Sequence, residues 1–88
     1  MSTVLGMDIN AARDLVRVMS SDADTITQLS GRLTNQLEQT TWFGPDANAF
    51  RAAWQGEYVP ALQRIVQALQ ENAQALSAQA DDQERASS

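Results

Sequence analysis

The sequence predicts an all-α protein, an antiparallel two-helix hairpin that pairs into a dimeric four-helix bundle. Three observations lead there. Apolar residues recur in steps of three and four along two stretches of nearly equal length. Between them, at the midpoint of the chain, stands the pair Gly44-Pro45, with glycine suited to closing one helix and proline to opening the next. Each stretch also carries leucines beside its main seam, and a chain of 88 residues folded as one hairpin leaves them uncovered.

The first helix is expected over about 8–41. Its seam runs through Ile9, Ala12, Val16, Met19, Ala23, Ile26, Ser30, Leu33, Leu37 and Thr40, widened by Leu15 and Leu29. Asp8 suits the N-cap, and Asp14 suits the positive end of the helix dipole. The stretch "SSDAD" at 20–24 offers a capping box through Ser21 and Asp24, which would restart a helix. Ala23 keeps the seam in phase across it, so one continuous helix is predicted. Gly31 falls off the seam and costs about 1 kcal/mol relative to alanine inside a helix.

The turn occupies 42–45, and the second helix is expected over about 45–80. Its seam is Ala47, Phe50, Trp54, Tyr58, Ala61, Ile65, Ala68, Asn72, Leu76 and Gln79, flanked by Leu62, Val66, Leu69 and Ala73. Pro60 inside it removes one backbone hydrogen bond and presses on the carbonyl of Gly56, which predicts a kink rather than an end. Asp81, Asp82 and Glu84 crowd the negative end of the dipole, so 81–88 is expected to be a loose tail. Nothing in composition divides the chain, which reads as a single unit. With Leu33 and Ile65 on the two seams, truncating either to alanine should lower stability and association together.

Chemistry is limited by what is missing. With no Cys and no His, thiol and imidazole catalysis and the common zinc, copper and haem ligand sets are excluded. Eleven acids against six arginines give a net charge of −5, the wrong sign for a nucleic-acid or anionic-membrane binder. The candidate acid pairs Asp22 with Asp24 and Asp81 with Asp82 point to different helix faces, as neighbours one or two apart must. Serines and threonines have no base beside them, and no glycine-rich loop is present. The expectation is therefore no enzyme, no cofactor and no metal. The opening "MSTVLGMDIN" has no basic region and only Val4-Leu5 as an apolar run, so neither a general secretory signal peptide nor a membrane span is expected there.

Every aromatic residue lies between 42 and 58: Trp42, Phe43, Phe50, Trp54 and Tyr58. Phe50, Trp54 and Tyr58 form an i, i+4, i+8 stripe that plugs the turn end. Trp42 and Phe43 at the tip have two readings, a plug for the turn or an exposed anchor for a partner.

Trp42-Phe43-Gly44 between two equal helical arms, followed by "PDANAFRAAW", resembles the WXG superfamily, the ESAT-type early secreted antigens of type VII (ESX-type) secretion. The resemblance covers nearly the whole chain. It implies a hairpin that dimerises with itself or with a paralogous WXG-type protein and is exported folded by a signal-peptide-independent route, cytoplasmic before export and extracellular after it. It also implies that Trp42 and Gly44 form one half of a composite export signal read by the type VII secretion ATPase. The other half in that family, a Tyr-x-x-x-Asp/Glu motif, has no counterpart here. Ser77, Ala78 and Ala80 stand four before Asp81, Asp82 and Glu84, and Tyr58 is followed four later by Leu62. A partner that supplies the motif, or a degenerate signal, is then expected. Phe43, Leu15, Leu29, Leu33, Leu37, Phe50, Trp54, Leu62, Ile65 and Leu69 are the expected partner-binding residues. Few charges flank the seam to reject self-pairing, which favours a homodimer where no paralogue exists. A chaperone-like helical adaptor for a larger secreted toxin is the alternative.

Overall fold

The computed structural model describes residues 7–87. The Val4-Leu5 run and Ser88 lie outside them. Helix α1 spans Ile9–Gln39 without interruption, so the SSDAD stretch does not restart it. Asp8 caps it as expected, its Oδ1 accepting the Ala11 N–H at 3.0 Å and its backbone carbonyl accepting from Ala12. The second arm consists of α2 (Pro45–Ala53), a π-helical turn (Trp54–Tyr58) and α3 (Val59–Ser87). The two arms pack antiparallel into a rod with extents of 64 × 17 × 13 Å.

The inner faces are small. Ala12 and Ala23 on α1 and Ala47, Ala73 and Ala80 on the second arm are buried, and Trp54 is the only large apolar side chain buried with them among the described residues. Alanine on both sides lets the helix axes approach closely, and the half-buried Val16, Ile26, Leu37, Leu62, Val66 and Leu69 fill the flanks of the seam.

The seam of the second arm differs from the predicted one, and the cause is Pro60. A regular helix would need an N–H at Pro60 for the Gly56 carbonyl, and the proline ring would collide with that oxygen. The chain takes one wider turn instead, in which the Val59 N–H donates to the Trp54 carbonyl, five residues back. One extra residue per turn rotates everything after it by about 100°. Ile65, Ala68, Asn72 and Gln79 are therefore exposed, while Val66, Leu69, Ala73 and Ala80, each one position later, face α1. The expected kink at Pro60 is thus a change of phase. On α1 the correction is local: Thr34 is turned in beside the second arm and Leu33 is exposed. Neither Leu33 nor Ile65 belongs to the seam within the hairpin.

The tail is also corrected. α3 continues through Ser87, with Ala80 and Gln83 buried against the start of α1. The acids expected to fray it have cationic partners. Arg13 of α1 reaches Asp81 at 3.0 Å and Glu84 at 2.7 Å, and Arg85 pairs with Asp82 one turn away. Hydrogen bonding to Asp81, then to Glu84, raises the Arg13 pKa above its ordinary value, so the clamp keeps its cation throughout the working pH range.

If the π turn is one surplus residue, deleting Gly56 together with Pro60→Ala, which restores the N–H and removes the ring that a regular turn would press on the Gln55 carbonyl, should close it into a regular turn and leave the seam in place. Deleting Gln28 from α1, which has no surplus, should rotate Gly31, Asn35 and Glu38 into the seam. We expect the Gly56 deletion carrying Pro60→Ala to melt within about 8 °C of the parent, a shift of roughly 1 kcal/mol at this size, and the Gln28 deletion to lose its cooperative transition. Equal losses in the two would refute the phase assignment.

Candidate functional site

Two features stand out on the hairpin, the aromatic tip and one long apolar side. The tip begins where α1 ends. Thr40 is extended at φ −86° and ψ 128°, so the helix stops at Gln39 and the glycine lies four residues beyond its cap. Gly44 sits at φ 121° and ψ 174°, a region open essentially to glycine alone, and serves as the N-cap of α2 rather than closing α1. A Cβ there would meet no atom within 4 Å, so the demand for glycine is one of backbone conformation and not of space. Pro45 follows at the first helical position, as predicted.

α1 has no basic residue in its last turn to meet its free carbonyls. Arg51, seven residues into α2 from the N-cap, meets them. Its Nη2 donates to the carbonyls of Leu37 and Thr40, both at 3.0 Å, and its Nη1 donates to the carbonyl of Trp42 at 2.6 Å. The guanidinium carbon also lies 5.6 Å from the centre of the Trp42 ring, within the range of a cation–π contact.

The rings form a connected ladder away from the turn. Trp42 tilts against Phe50 at 6.2 Å between centroids, Phe50 stacks on Trp54 at 6.4 Å, and Tyr58 meets Trp54 edge-on at 6.4 Å. The ladder has one buried foot. Trp54 donates its indole N–H to Thr34 Oγ1 at 2.9 Å, and that hydroxyl donates in turn to the Ser30 carbonyl at 2.8 Å. Trp42 is 40% exposed and Phe43 is 83% exposed, so the tip carries apolar surface that the hairpin itself does not cover.

The expected partner-binding residues fall into two groups. Leu37, Trp54, Leu62 and Leu69 are turned into the hairpin, whereas Leu15, Leu29, Leu33, Phe50 and Ile65 are exposed together with Val18 and Tyr58. Each exposed residue stands one position before an inward or half-buried one, as Leu15 before Val16, Leu33 before Thr34, Phe50 before Arg51 and Ile65 before Val66. One step back turns a side chain by about 100° from the seam. Because the arms are antiparallel, that same step carries both stripes to one side of the hairpin. The opposite side holds a groove of about 690 Å³ lined by Thr27, Gly31, Asn35, Gln63, Gln67 and others, all of them uncharged.

Charge divides along the rod. Between residues 25 and 65, Glu38, Asp46 and Glu57 balance Arg32, Arg51 and Arg64, so the whole net charge of −5 lies toward the open end. Among the described residues no group of three acids converges as a metal site would require, and no helix is long and apolar enough to cross a membrane.

Sequence reasoning missed Arg51 and Thr34. The signal for Arg51 was available, since α1 closes with no basic residue of its own and Arg51 is the nearest cation after the break. Thr34 was hidden by Leu33 beside it, an apolar neighbour one step off phase. Thr34→Val keeps the shape and leaves the Trp54 N–H without its acceptor, which should cost about 1–3 kcal/mol by thermal or urea unfolding. Combined with Trp54→Phe, the Thr34→Val loss should shrink, as a shared hydrogen bond requires; additive losses would show that the bond carries no stability.

Compared with known proteins, the chain matches no family model, no curated protein and no solved structure.

Proposed function

We propose that the protein is a non-enzymatic protein-binding hairpin of the WXG type, a small secreted protein or secretion partner of a type VII (ESX-type) system. In this reading two hairpins join through their apolar sides into a four-helix bundle, and the Trp42–Gly44 turn forms part of a composite export signal. The single observation that carries the reading is the placement of the large apolar residues. Leu15, Val18, Leu29, Leu33, Phe50, Tyr58 and Ile65 lie on one side of a hairpin whose fully buried residues are mostly alanine. A helical face of this kind needs a cover, and an identical face is self-complementary about a two-fold axis. The charge distribution favours antiparallel pairing, with each neutral tip beside the other hairpin's acidic end and the two acidic ends held apart. That arrangement brings Trp42 of one copy near residues 81–84 of the other. The adaptor reading draws on the absence of a tyrosine ahead of those acids, since a foreign partner would then supply the rest of the signal.

Sedimentation of the purified chain is expected to give a dimer at micromolar concentration. Leu33→Ala and Ile65→Ala should each weaken association about tenfold or more, roughly 1.4 kcal/mol, while leaving helix content in place. A cooperatively folded monomer would end the bundle reading. In a host with the secretion system and any cognate paralogue, Trp42→Ala should form the dimer and fail to be exported. Export at the parent level would remove Trp42 from the signal, and unfolding of the variant would make the ring a plug for the turn.

A further inference from the structure

We propose that Arg51 is the positioning residue for Trp42, a clamp that holds the turn and its indole in one pose for whatever recognises the tip. The link to recognition rests on the function proposed above; the clamp itself does not. Outside the helices, the backbone–backbone hydrogen bonds among the described residues are those of Ala12 with Asp8 and Asn48 with Gly44, so none of them secures Thr41 to Phe43. The hydrogen bonds that cross that stretch come from one side chain. The three carbonyls that Arg51 engages belong to the last turn of α1 (Leu37), its cap (Thr40) and the extended chain beyond it (Trp42). Helix end, cap and turn are thereby tied to α2 at a single point.

The contacts are specific to a guanidinium. No carboxylate pairs with Arg51 among the described residues; its donors go to three carbonyl oxygens, and its guanidinium carbon lies over the Trp42 ring. A planar fork with five donors can serve three carbonyls and a ring together. A lysine ammonium, a compact charge on a flexible stem, cannot hold that geometry. The indole is flanked by Arg51 and by Phe50, which leaves its remaining surface facing outward. Trp42 is thus exposed without being loose, a combination that lowers the ordering cost of contact with a partner.

The test uses the full chain labelled with 5-fluorotryptophan, which gives one ¹⁹F resonance for Trp42 and one for Trp54, assigned with Trp42→Phe. In Arg51→Ala and in Arg51→Lys the Trp42 resonance should sharpen and move toward that of the free amino acid, with Trp54 unchanged. Backbone order parameters at 41–43 should fall from about 0.85 to below about 0.6. An unchanged Trp42 resonance in either folded variant would overturn the clamp. Should both variants unfold, the parent protein still decides, because rotation about the Arg51 guanidinium bonds should be slower than for the exposed Arg32 and Arg64, and equal rates would overturn the proposal. A freed Trp42 with export at the parent level would uphold the clamp and remove the recognition reading, so the two fail separately.

Discussion

Pro60 cannot donate a backbone hydrogen bond, and the arrangement of the second arm follows from how the chain absorbs that fact. One added residue in the turn Trp54–Tyr58 sets Leu62, Val66, Leu69 and Ala73 toward α1 and Ile65 and Tyr58 away from it. Without the wider turn, Asn72 and Gln79 would face α1 in place of Ala73 and Ala80. The polar pair would meet the buried Ala12 and Ala23 side of α1, and the alanine packing of the two arms would be lost. A proline that would ordinarily be read as damage to a helix therefore selects which of two candidate stripes becomes the inside.

This explains what could be read from the sequence and what could not. The length of α1, its Asp8 cap, the break near the midpoint and Pro45 as a helix start are local properties, written in the residues that carry them. Phase beyond Pro60 is a property of the turn before it, and a template that assumes 3.6 residues per turn throughout is off by one residue from there on. Both candidate stripes had been visible, Leu62 to Ala73 as flank and Ile65 to Gln79 as seam, and only the count through the turn separates them. Asp81 and Glu84 find a cation in Arg13, some seventy positions away, and Ala80 and Gln83 are buried, and dipole reasoning applied to one helix has no access to either. At the tip, Trp42 and Gly44 were legible as unusual residues. Their support by Arg51 was not, because three carbonyls are invisible in a sequence until the chain's path is known.

The distribution of bulk matters as much as the phase. The fully buried residues are mostly alanines, and the leucines, valines and isoleucine that face the seam are only half-buried, while Leu15, Leu29, Leu33 and Ile65 are exposed beside it. Alanine contacts hold two helices close but remove little apolar surface from water. The hairpin is therefore an incompletely covered unit with a well-defined shape, in which Arg13 at the open end and Arg51 at the tip fasten the arms by polar contacts at the two places where the alanine seam runs out.

The separation of charge along the rod gives the molecule a direction. The dipoles of two antiparallel helices oppose one another, so the side-chain charges set the electric moment of the hairpin, directed along a body 64 Å long. In the field of a positively charged surface or pore such a rod turns before it touches, presenting its acidic end and trailing its aromatic one. A single copy would thus arrive oriented. Two copies laid head to tail cancel the moment and would arrive in no preferred attitude, so association would change how the particle travels through a charged passage as well as what it covers.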